Sequence, residues 1–123
     1  MKFTGICLIT NDVAGLAKFY EMVLGVKAEG DAVHAELRPE GAGISIFSVE
    51  GMERMAPSSL QGAGHGGFTF GIEVDDVDAE YQRLKTLGVE FVKLPQTHPW
   101  GCRSFWFRDP DGNIVDFYTV LDK

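Results

Sequence analysis

Residues 107–118, FRDPDGNIVDFY, put an acid where an apolar strand should run. Asp116 stands four residues past the turn glycine Gly112, between Val115 and Phe117. A carboxylate there can ligate a metal, contact a ligand or simply face water. Few other side chains could share its chemistry. His34 and Glu36 lie two apart on an expected strand and so share a face, while His65 falls in a glycine-rich stretch. Cys102 sits beside Arg103 and near His98, a setting that can depress a thiol pKa, but a strand-start cysteine without catalytic role is the simpler reading. GAGHGG at 62–67 has the spacing G-x-G-x-x-G, yet it leads into a strand rather than opening a helix, so it cannot cradle a phosphate.

Aromatic residues supply the second kind of chemistry. Trp100, Phe105, Trp106 and Phe107 crowd into eight residues, and strand alternation sends Trp106 to the face opposite Phe105 and Phe107. Several of these must be core or subunit interface. Trp100, Trp106, Phe47 and Tyr118 are the candidates to wall a cleft for a flat or cationic ligand.

The elements that would position them follow from periodicity. FTGICLIT reads as a strand, ND as a cap, and VAGLAKFYEMVLG as a helix with Val13, Leu16, Tyr20 and Val23 on one face and Gly25 as its C-cap. Weaker strands are expected near 26–29, 32–37 and 43–49, then a connecting loop from Glu50 to Gly67. The pattern then restarts: strand FTFGIEV, cap DD, helix VDAEYQRLKTLG with Val77, Tyr81 and Leu84 in register, and strands VEFVKL, CRSFWFR and NIVDFY. Asn11 matches Asp75 at an offset of 64, so two βαβββ modules are expected within one domain: about 1–50, a linker about 51–66, and about 67–123. The fold class is α+β, with curved mixed sheets around a shared cleft. Alternation turns Gly5, Cys7 and Ile9, then Thr69, Gly71 and Glu73, and finally Asp116 with Tyr118 toward that cleft.

Composition narrows the partners. The 123 residues carry 18 acidic and 11 basic side chains, a net charge of −7, which disfavours nucleic acid and anionic membranes. No apolar run reaches the ~18 residues of a membrane span, and Asp12 comes too early for a signal peptide. Two cysteines without metal-like spacing point to a cytoplasmic protein with reduced thiols.

The paired modules, NDVAGLAKFYEMVLGV and FRDPDGNIVDFY together resemble the vicinal-oxygen-chelate superfamily of glyoxalases, bleomycin-resistance proteins and extradiol dioxygenases. The resemblance implies a divalent ion held by four cleft positions, which fall here on Gly5, Ser45, Thr69 and Asp116. Only Asp116 is a competent ligand type, and one carboxylate cannot hold a catalytic ion. The expectation is therefore a metal-free homodimer of the bleomycin-resistance kind, antibiotic-resistance-like, that sequesters an aromatic or cationic small molecule without cofactor. Asp116, Tyr118, Trp106, Trp100, Phe47, Ser45, Thr69 and Cys7 would line its site. The alternative is a glyoxalase- or dioxygenase-like enzyme using Zn, Ni, Mn or Fe at a displaced site, built from Asp116 with His65, Glu73 or His34.

Overall fold

A computed structural model describes residues 1–121. Among these described residues eight strands and three helices run in the order β1(Gly5–Thr10), α1(Val13–Leu24), β2(Glu29–Gly30), β3(His34–Leu37), β4(Gly43–Ser48), α2(Val49–Met55), β5(Thr69–Glu73), α3(Val77–Thr86), β6(Glu90–His98), β7(Cys102–Arg108) and β8(Ile114–Val120). They divide into two units, Met1–Ala63 and Gly64–Lys123, each an α+β module with one four-stranded mixed sheet.

In the first unit the strand order is β1-β4-β3-β2, with β1 and β4 parallel. The Asp12 carboxylate accepts from the Gly15 N–H at 3.0 Å and starts α1. Gly25, at φ 70, ends it. Val13, Leu16, Tyr20 and Val23 are buried, along with Leu8, Ala35, Leu37, Ile44 and Ile46 of the sheet. Cys7, Ser45 and Glu36 stand side by side in one cross-strand row on the face opposite α1, and Phe47 with His34 in the next.

The stretch after β4 differs from the expected loop. Ser48 accepts from the Gly51 N–H at 2.9 Å, Glu50 stands in the first turn and Arg54 in the last, so Val49–Met55 is helical. An N-cap serine and charges matched to the helix dipole outweigh the Gly and Met content that suggested a loop.

The second unit repeats the plan with order β5-β8-β7-β6. Asp76 caps α3 by accepting from Ala79 N–H at 3.1 Å. Phe105, Phe107 and Phe117 are at most 1% exposed. Phe105 lies 5.5 Å from Phe117 and 5.7 Å from Tyr81 of α3, centroid to centroid, which fixes this as the helix face of the sheet. Each such ring contributes about 1.5–3 kcal/mol by burial. Arg103 clamps β7 to α3, two of its three guanidinium nitrogens, Nε and Nη2, donating to Asp78 at 2.9 Å. Asp109 closes the turn before β8, its carboxylate accepting from the N–H groups of Asp111 and Asn113 and from Asn113 Nδ2.

Candidate functional site

Register decides what shares a face with Asp116. In the parallel pair Asp116 lies opposite Gly71, and in the antiparallel pair it lies opposite Trp106. Trp106 in turn lies opposite Lys93 of β6. One row therefore crosses the sheet as Lys93, Trp106, Asp116 and Gly71, on the side turned away from α3. The next row brings Gln96, Ser104, Tyr118 and Glu73 together on the same side.

Lys93 reaches this side because β6 is irregular. Phe91 pairs with Phe107 on the helix face, but a bulge separates it from Lys93 and a second separates Lys93 from Gln96. An extra residue reverses the parity of a strand. Simple alternation over VEFVKL would have put Phe91 and Lys93 on one face, so Lys93 had no sequence signal except Pro95, which marks an irregular edge strand. His98 was missed because β6 runs past the expected VEFVKL, and Ser104, which shares the face of Trp106 by plain alternation on β7, carried no chemical signal of its own.

The Lys93 ammonium donates to the Ser104 carbonyl at 2.8 Å and stands 5.6 Å from the centre of the Trp106 ring. Burial pushes the Lys93 pKa below its ordinary value, opposed by the charge of Asp116. Burial likewise pushes the Asp116 carboxyl above its ordinary value, opposed by Lys93, then by the Trp106 indole N–H, then by His98. The two shifts share one meaning: a mutually attracting pair is held where water solvates it poorly. Trp106 Nε1 and Asp116 Oδ1 are both buried without a hydrogen-bond partner. The indole N–H is near enough to favour the carboxylate but does not close a bond to it. Each buried group left so costs about 1–3 kcal/mol. Among the described residues, the third such atom is Asp111 Oδ2, in the turn before the same strand.

Tyr118 completes the wall. A Cβ on Gly71 would lie 3.1 Å from its ring, so the glycine makes room for the tyrosine to lean across the sheet. At the end of β6, His98 Nε2 and Ser104 Oγ are 3.2 Å apart, and the Trp100 ring stacks on His98 at 4.5 Å, nearly parallel. Trp100 itself is 74% exposed.

The expected site residues thus separate. Asp116, Trp106 and Tyr118 come together, with Trp100 at the strand end and Thr69, exposed, opposite Ile114. Cys7, Ser45 and Phe47 belong to the first unit, where Cys7 is exposed and pairs with Ser45 across β1 and β4. Cys7 is the counterpart of Gly71 at an offset of 64, and Ser45, which pairs with Cys7 as Asp116 pairs with Gly71, is the counterpart of Asp116.

The residues present do not fit a divalent ion. Among the described residues no three His, Cys, Asp or Glu side chains gather as ligands. Gly5 has no side chain and cannot gain one, because a Cβ there would sit 2.1 Å from the Gly43 carbonyl oxygen. The one matching carboxylate, Asp116, already faces an ammonium, which repels a cation. His65 lies against the 109–112 turn, its Cβ 3.6 Å from where a Gly112 side chain would begin.

Comparison with known proteins gives the same architecture and names it. Residues 2–117 match the family model of the Glyoxalase/Bleomycin resistance protein/Dioxygenase superfamily. The uncharacterized protein YraH of Bacillus subtilis is 30% identical over 128 residues, covering 98% of this chain and 100% of the relative. A glyoxalase/bleomycin resistance protein/dioxygenase family enzyme from Burkholderia phytofirmans superposes with a TM-score of 0.88 at 19% identity, covering 98% of this chain and all of that one. A second family structure, from Nocardioides, gives 0.79 at 22% identity over 99% of this chain and 85% of that one. Two βαβββ modules, a shared strand order and a matching family model make this chain a member of the glyoxalase/bleomycin resistance protein/dioxygenase superfamily.

Proposed function

We propose that this chain is a small-molecule-binding protein of the bleomycin-resistance kind, which holds a flat aromatic ligand without a metal and works as a homodimer. What carries the reading is the row Lys93–Trp106–Asp116. It combines an indole face, a donor and an acceptor on the side of the sheet its own helix leaves free. A ligand that stacks on Trp106 or Tyr118 and hydrogen-bonds to the pair would offset the desolvation that both charges now suffer. Among the described residues no helix is long and apolar enough to cross a membrane.

Calorimetric titration with benzamide, a neutral planar probe, tests this. Saturable one-per-chain binding should weaken about tenfold in Asp116→Ala, the worth of one hydrogen bond to a charged group. Affinity unchanged by both Asp116→Ala and Trp106→Leu would overturn it. So would stoichiometric zinc, nickel or manganese retained after dialysis and abolished by Asp116→Ala.

A further inference from the structure

Resting on that reading of the site, we infer that Lys93 sets the sign of the ligand: the row selects an aromatic molecule bearing an oxyanion or carboxylate, and rejects aromatic cations. The acid-rich composition suggested the opposite. The geometry near Asp116 outweighs it, because net charge acts at long range through screening salt while the row acts at contact.

The hydrogen-bond inventory points the same way. An ammonium has three N–H donors, and Lys93 commits one to the Ser104 carbonyl. The nearby Trp106 indole N–H is a further donor without a partner. Against these stands the Asp116 carboxylate, already the counter-charge of Lys93. Asp116 Oδ1 is likewise without a partner, so what favours an acceptor-rich ligand is the position of the ammonium, which keeps two N–H groups uncommitted over the Trp106 ring on which the ligand would stack. A cation would have to compete with Lys93 for Asp116 and would lie close to a like charge, which is costly at this half-buried row. Two other charges belong to this face. Glu73 is exposed at the far end of the second row, and Arg108 is taken up by the Gly112 carbonyl at 2.8 Å and by Glu90. Neither changes the balance at Trp106.

The bulges on either side of Lys93 strengthen the assignment. Without them the parity of β6 would carry residue 93 to the helix face with Phe91. The irregularity delivers a cation to the row of Trp106 and Asp116.

Benzoate, benzamide and benzamidine share one shape and carry charges of −1, 0 and +1. Titrated into the intact protein, they should bind in that order, with benzoate at least about tenfold tighter than benzamidine. Lys93→Met should abolish the benzoate preference, and Lys93→Arg, which keeps the charge, should retain it. Circular dichroism confirms that each variant is folded. Benzamidine binding as tightly as benzoate, or tighter, in the wild type overturns the inference without any variant. Equal binding of all three removes the charge selection while leaving the aromatic site standing. No binding by any of the three removes both.

Discussion

At the scale of single residues, Asp116 is held in an unfavourable state for a reason that pH can expose. Its carboxyl is raised above the ordinary 3.8, chiefly by burial. The folded chain therefore binds the proton more tightly than the unfolded chain does. The stability this gives is fully present below 3.8 and is lost as pH rises through the raised folded value. Asp116→Asn removes that loss. Thermal melts should show the variant gaining on the wild type at pH 7 relative to pH 4, and the reverse sign would contradict the assignment. Phe105, fully buried among Tyr81, Phe91 and Phe117, is an ordinary core residue by contrast. Phe105→Ala should cost about 3–5 kcal/mol in urea unfolding. Asp116 was legible from sequence because β8 keeps strict alternation, whereas the cleft-side face of the 103–108 strand stayed open until the register of β7 against β8 put Trp106 opposite Asp116.

At the scale of elements, legibility followed regularity. The caps Asp12 and Asp76, the helix stripes and the DPDG turn each announced themselves through local chemistry, and all fall where expected. Two features did not. Helix α2 was hidden by glycine and methionine, although Ser48 caps it. Strand β6 runs to His98, well beyond VEFVKL, and its two bulges moved Lys93 to the unexpected face. A period of two cannot be extended through a bulge, so the face of Lys93 was illegible while that of Asp116 was plain. The close approach of β1 and β4 is also an element-level constraint. With φ 151 and the Gly43 carbonyl 2.1 Å from any Cβ, Gly5→Ala should destabilise the first unit by about 2–3 kcal/mol. A melt unchanged from wild type would show that the strands can separate there at little cost. The Asp76→Ala cap deletion should cost about 1 kcal/mol in the same assay.

At the scale of the whole molecule, the internal repeat is the feature that composition, fold and family share. Both units use the strand order in which the first and last strands pair in parallel. They differ in what they place opposite their helices. The first unit offers Cys7, Ser45, Glu36, Phe47 and His34, and the second offers Lys93 and Asp116 on either side of Trp106. Net charge bears on kinetics rather than on this choice. A chain of −7 repels an incoming anion, so benzoate should associate faster at 150 mM salt than at 10 mM. Slower association at the higher salt would mean that the field of Lys93 reaches far beyond its row.

The central claim is that ligand is held at the Lys93–Trp106–Asp116 row, and the two tryptophans allow a direct test. In a nitrogen-15 correlation spectrum each gives a separate indole N–H signal, assignable with Trp100→Phe. Titration with benzoate should move the Trp106 signal most, together with the amides of Lys93 and Asp116. A saturating titration that leaves the Trp106 signal in place, or that moves residues of the first unit alone, would contradict the account.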